Sequence, residues 1–236
     1  MRCRQMASLW VLVVSLILLA VAARAAPAPE TEKSPTLAKK PPAGAVVLLA
    51  FEPGKAPSLE KWDNKAWEVS PDGYAVARNG NLCTVDKLAD MHLHVEFNIP
   101  PGEGGKRAKG GGNSGVYLMD RYEIQILDSY GQPATANGCG AVYRRIAPKV
   151  NASLPAGEWQ TFDITFHAPR FDAAGKKVKA ARVTVLHNGV KVHDDVEVVP
   201  TGQASNKPEL PENPLRLQDH GCPVKFRNIW YTKPKD

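Results

Sequence analysis

The residues best suited to chemistry lie in two short runs, YEIQILD at 122–128 and LRLQDHG at 215–221. Side chains alternate across a β-strand. In the first run Glu123, Gln125 and Leu127 therefore share one face, opposite Tyr122, Ile124, Ile126 and Asp128. In the second, Arg216, Gln218 and His220 share a face opposite Leu215, Leu217 and Asp219. With Tyr122, Ile124 and Ile126 turned inward, the two strands offer a carboxylate, two carboxamides, a guanidinium and an imidazole on an outward face. Carboxamides pair with sugar hydroxyls, the Glu or the His can serve as a base, and a cation holds developing negative charge. Each of these residues taken alone also fits the wet side of a half-exposed antiparallel sheet.

Those runs sit among segments that read almost entirely as strand. Apolar or alternating stretches occur at 46–51, 65–77 about an Asp72-Gly73 turn, 91–99, 114–119, 122–128, 140–143, 159–168, 181–198, 215–219 and 224–232. Asn188-Gly189, between two alternating runs, is the strongest hairpin signal. Long helical periodicity is absent and turns recur every ten or so residues. The expected fold is all-β, a two-sheet antiparallel jelly-roll sandwich over residues 45–236. Trp62, Trp67, Trp159, Phe162, Phe166, Phe226 and Trp230 are expected to build its core. The run PPGEGGKRAKGGGN (100–113) lacks the GK[ST] ending of a phosphate-binding loop and is expected to border a site.

The first 25 residues carry Arg2 and Arg4, an apolar run and Ala23-Arg24-Ala25, the pattern of a cleaved secretory signal. The chain is therefore expected to be exported, periplasmic or secreted, with no membrane span after cleavage. Residues 26–44, rich in Pro, Lys and Ala, read as a disordered tether. Removing 1–25 lowers the formal charge from +6 to +3, too little and too scattered for a nucleic-acid footprint. Cys83, Cys139 and Cys222 form no CxxC pair; an odd count allows one disulfide and one buried thiol, or three buried thiols, and if one pair forms Cys139 with Cys222 is favoured. His92 and His94 stand two apart on one strand. Without a third ligand they read as a solvated face, so no metal ligand is assigned and no cofactor is identified.

NSGVYLMDRYEIQILDSYG (113–131), CGAVYRRIAP (139–148), GEWQTFDITF (157–166), HNGVKVHDD (187–195) and LRLQDHGCPVKFRNIWY (215–231) together resemble the 3-keto-disaccharide hydrolase family. The resemblance runs in order from about Val47 to Tyr231. It implies a concanavalin- or laminarinase-like jelly roll and exported bacterial proteins acting on glycosides oxidised at sugar carbon 3. A carbohydrate is the implied partner. A ketone at carbon 3 acidifies the hydrogen on carbon 2, so the glycosidic bond can leave by elimination. That needs one base and an enolate stabiliser. The expected assignment is Glu123 as base and His220 as second base or acid. Asn113, Gln125, Arg216, Gln218 and Arg227 would bind substrate or the developing oxyanion. A retaining glycosidase would need two carboxyls about 5 Å apart, whereas the face holding Glu123 continues with Gln125 and Leu127. A non-catalytic glycan-binding module is the other function the scaffold supports.

Overall fold

The computed structural model describes residues 33–103 and 109–234. The expected export signal lies outside the described residues, as do 26–32 of the expected tether. The described residues form fourteen strands: β1 (Val46–Leu49), β2 (Glu68–Ser70), β3 (Tyr74–Val76), β4 (Leu82–Leu88), β5 (Met91–Asn98), β6 (Ser114–Leu118), β7 (Tyr122–Ile126), β8 (Trp159–His167), β9 (Arg170–Phe171), β10 (Lys177–Lys179), β11 (Ala181–His187), β12 (Val190–Val198), β13 (Asn213–Leu217) and β14 (Lys225–Thr232). They make an eight-stranded sheet ordered β12-β11-β8-β5-β14-β3-β2, with β1 also on β14, and a four-stranded sheet ordered β4-β13-β6-β7. The remaining pair, β9 and β10, is a small hairpin.

The two large sheets face each other across the core, giving the all-β jelly-roll sandwich. Alternation decides which side chains meet there. Leu93, Val95 and Phe97 come from β5, Phe162, Ile164 and Phe166 from β8, and Phe226 from β14. Val116, Leu118, Tyr122, Ile124, Ile126, Leu215 and Leu217 answer from the smaller sheet. Phe97 and Phe162 pack with centroids 4.7 Å apart, and Tyr122 meets Phe166 at 5.4 Å across the sandwich. Burying each such side chain contributes about 1.5–3 kcal/mol. Asn188 and Gly189 both take left-handed backbone and join β11 to β12 in two residues.

Several expectations fail in informative ways. Residues 140–143 are not a strand; Val142 makes single bridges to Ile124 and Ile146. Strand β4 had no clear alternation, because Val85, Asp86 and Lys87 are all exposed along it. Trp230 is buried but on the outer side of the large sheet, stacked on His94 at 5.0 Å, and Trp159 is only half-buried. Cys83, Cys139 and Cys222 are all free thiols. The Cys139–Cys222 pairing does not form, since Cys139 faces Leu127 and Ser153 while Cys222 lies against Gly112.

The larger correction concerns the tether. From Lys33 onward it lies as a strap on the outer face of the eight-stranded sheet. Ser34 Oγ bonds Thr161 Oγ1 at 2.6 Å, and the Thr36 hydroxyl donates to Asp163 at 2.7 Å. The Ala38 N–H donates to Glu96 at 2.6 Å, and Asn228 donates to the Lys39 carbonyl at 3.0 Å. Beneath it His94 is fully buried, with Nδ1 on Asp163 at 2.8 Å and Nε2 near Glu96 at 3.4 Å. His94 is therefore no solvated-face residue. The strap docks through polar groups, so it leaves no apolar period in the sequence, yet buried polar groups need partners as surely as apolar ones need contact.

Candidate active site

The hairpin β6–β7 turns at Met119 and Asp120, both left-handed at φ 52° and 51°. Three residues, Met119 to Arg121, separate the paired Leu118 and Tyr122, and this tight connection sets the register of the strands. Glu123 stands opposite Tyr117 and Gln125 opposite Gly115. Across the next ladder Arg216 stands opposite Tyr117, and the Gln218 N–H donates to the Gly115 carbonyl at 2.9 Å. The outer face of the small sheet thus carries the row Arg216, Tyr117, Glu123 beside the row Gln218, Gly115, Gln125.

Gly115 is what lets Glu123 lie flat on this sheet. A Cβ there would stand 2.6 Å from Glu123 Oε1 and 3.0 Å from its Cγ. We expect Gly115→Ala to keep the fold at a cost of about 1 kcal/mol, since the carboxylate can swing away. Turnover should fall at least tenfold, because the carboxylate leaves its place; kinetics beside a thermal melt would check both, and unchanged turnover would show that its position is immaterial.

Unlike a wet sheet face, this one is covered. The segment 139–146 runs along the free edge of β7: Gln125 N–H donates to the Ala141 carbonyl at 2.9 Å, Gly140 N–H to Gln125 at 2.8 Å and Tyr143 N–H to Glu123 at 3.1 Å. Thr201 closes the rest of the edge, accepting the Glu123 N–H at 2.9 Å and donating its own N–H to the Arg121 carbonyl at 2.9 Å. Edge strands need such cover. The result is that Glu123 and Gln125, on the outward face as expected, are only 2% and 3% exposed.

These elements enclose a cavity of about 210 Å³. Tyr117, Glu123, Gln125 and Gln218 line it from the sheet, and Tyr143, Arg144, Gly202 and Gln203 from the covering loops, with Asn113 and His220 beside them. Burial pushes the Glu123 carboxyl up to about 7, against the pull of the Tyr117 hydroxyl and the Arg216 charge. Burial and the neighbouring Glu123 push the Tyr117 phenol well above the usual tyrosine range. Glu123 Oε2, Gln125 Oε1 and Gln218 Oε1 are buried without a hydrogen-bond partner. Each such acceptor costs about 1–3 kcal/mol, so three in one cavity mark a place for a ligand rich in donors. A larger depression of about 710 Å³ includes Asp86, Asp90, Arg170 and Glu212. There Arg170 clamps Asp90 at 2.6 and 2.9 Å, leaving that carboxylate spent.

Of the residues expected from the sequence, Glu123, Gln125, Gln218, Asn113 and His220 come together. Arg216 stands one layer aside, its guanidinium 3.7 Å from the Tyr117 ring centroid and ion-paired to Asp120 at 3.0 Å. Arg227 is not brought to the site. It belongs to the eight-stranded sheet, where it pairs with Glu96 at 2.8 Å between the rings of Phe51 and Trp159. Tyr117, Tyr143, Arg144, Gly202 and Gln203 were missed. Pairing 114–118 against 122–126 would have found Tyr117, and Tyr143 and Arg144 lie in the CGAVYRRIAP motif, while nothing local marks Gly202 and Gln203. Among the described residues no group of three His, Cys, Asp or Glu side chains is placed to hold a metal ion.

The profile of the family described as "3-keto-alpha-glucoside-1,2-lyase-like domain" matches residues 47–232. Among solved structures, a candidate glycosyl hydrolase of Parabacteroides distasonis is 30% identical, with a TM-score of 0.68 over 81% of this chain and 84% of its own. A second from the same organism is 18% identical, with a TM-score of 0.58 over 81% of this chain and 94% of its own. A third is 21% identical, with a TM-score of 0.52 over 78% and 98%. The likeness to these last two is one of fold. No curated protein matches the chain. The matched span takes in the hairpin bearing Tyr117 and Glu123 and the strand bearing Arg216, and this chain belongs to the 3-keto-alpha-glucoside-1,2-lyase-like family.

Proposed function

We propose that the protein cleaves 3-keto-glucosides by elimination across carbons 1 and 2, with Glu123 as the base, and that water then adds to complete a net hydrolysis. The observation that carries this reading is a single buried carboxyl, held near 7, with an unpartnered oxygen in a cavity whose other unpartnered atoms are amide oxygens. A base tuned close to neutral pH transfers protons most effectively. Among the described residues no second carboxylate lines the cavity, which speaks against the paired-carboxyl route of ordinary glycosidases. At about 210 Å³ it is smaller than the ~300–1,000 Å³ of drug-sized pockets, in keeping with one sugar ring held by its hydroxyls.

Glu123 takes the proton from carbon 2, and the electron pair passes into an enolate with the carbon 3 oxygen. The Gln125 carboxamide N–H donates to that oxygen. The pair then returns to form the carbon 1–carbon 2 double bond as the glycosidic oxygen leaves and gains a proton. Addition of water places hydroxyl on carbon 1 and hydrogen on carbon 2. The charged-flanked apolar run and A-x-A site at the amino terminus support an exported setting for this chemistry. In heavy water the product should carry deuterium on carbon 2. A product without it overturns elimination, equal activity on the unoxidised glucoside overturns the need for the ketone, and binding without conversion makes the protein a glycan-binding module.

A further inference from the structure

We propose that Tyr117 is the acid that protonates the leaving glycosidic oxygen, and that it is reset by the proton Glu123 has taken. This rests on the reading of Glu123 as base and adds the partner that reading lacks. Tyr117 lines the cavity directly across the β6–β7 ladder from Glu123, so the phenol and the carboxyl lie side by side. Gln218 Nε2 approaches the Tyr117 hydroxyl oxygen at 3.4 Å and can donate to it, leaving the hydroxyl proton to point elsewhere. Over its face, the Arg216 guanidinium lies 3.7 Å from the ring centroid and is anchored on Asp120. A phenol so clamped between two strands has little freedom except at its proton. His220, by contrast, is exposed, and no hydrogen bond from another described residue orients its ring.

The proton inventory closes without an outside acid. Glu123 accepts the carbon 2 proton; the carbon–oxygen bond breaks with its electron pair on oxygen; the Tyr117 O–H proton passes to that oxygen. The phenolate then takes the proton from the Glu123 carboxyl, and both residues are restored. The phenol's burial keeps it protonated until an alkoxide, more basic still, develops beside it. Arg216 is a positioning residue in this scheme, acting through the ring.

The test uses Tyr117→Phe with two 3-keto-glucosides. The methyl glucoside must leave as an alkoxide and needs an acid, whereas the 4-nitrophenyl glucoside leaves as a stable anion. The variant should lose about 10²–10⁴-fold on the methyl substrate and less than about tenfold on the nitrophenyl one. Equal losses on both, or no loss on either, overturn the proposal. Turnover of the nitrophenyl substrate also shows the variant is folded. Should it not fold, 3-fluorotyrosine at position 117 keeps the packing and makes the phenol more acidic. It should change the methyl rate severalfold and leave the nitrophenyl rate alone; a methyl rate that does not change overturns the proposal. Exchange of the carbon 2 hydrogen into unreacted methyl substrate in heavy water separates the two readings. If exchange persists in Tyr117→Phe while both leaving groups suffer equally, only the Tyr117 role falls. If the wild type shows neither exchange nor deuterium in product, the Glu123 reading falls and this one with it.

Discussion

Glu123→Gln should lower kcat on a 3-keto-glucoside by about 10²–10⁴-fold while KM changes little, since Gln keeps the shape and loses only the base. The wild-type rate should rise with pH and level off above about 7, where the buried carboxyl becomes ionised. The same substitution should alter stability with a definite sign. The folded carboxyl titrates near 7 against 4.5 in the unfolded chain, so between those values the native state holds the extra proton. Wild-type stability therefore declines as pH rises through that window, by on the order of 2–3 kcal/mol. Glu123→Gln cannot ionise and escapes the decline, so it should be the more stable protein at pH 8 and about equal at pH 4. Denaturant titrations at the two pH values measure this. A variant less stable than wild type at pH 8 would mean the carboxylate is held by its surroundings rather than strained by them.

The second large effect concerns the strap. A chain beginning at Gly44 should lose about 2 kcal/mol, or roughly 4–8 °C in Tm, with turnover unchanged. Bonds from Thr36 and the Ala38 N–H to carboxylates are charge-assisted and outweigh the entropy of ordering the segment. The eight-stranded sheet bears the strap on its outer face, whereas the cavity lies on the outer face of the other sheet, which is why activity should survive. Burial works against the charge on Asp163 and Glu96, but His94 with Thr36 for the one, and His94 with Asn228 and Arg227 for the other, more than offset it, so both carboxyls sit below their ordinary values of 3.8 and 4.5. Their contribution is present above those values and fades as pH falls through the folded ones, so the two chains should converge in acid. Melting curves of the full and shortened chains decide the point; coincident midpoints would show the strap adds nothing.

Most strands of the sandwich, though not their order in the sheets, were legible because they are regular. Period-two alternation at 91–99 and 159–168 fills one core, and Asn188-Gly189 admits one kind of turn. Strand β4 was not legible, because an edge strand with exposed Val85, Asp86 and Lys87 has no wet–dry rhythm to read. Arg227 was misplaced for a related reason. Its strand pairs with β5 through an irregularity between Arg227 and Trp230, and sequence alone does not say which sheet a strand joins.

By itself the sequence determined that Glu123 and Gln125 share a strand face, that Arg216, Gln218 and His220 share another, and that no second acid stands beside Glu123 on its face. Those are matters of local geometry, settled by the two-residue period of an extended chain. Only the tertiary structure decided that the two faces belong to one sheet, that Gly115 opens room for the carboxylate, and that Thr201 and the 139–146 segment cover the edge of its strand. Burial is a property of what lies above a residue, and here the covering chain comes from 16 or more residues away in sequence. That cover turns an ordinary surface glutamate into a carboxyl that titrates near 7.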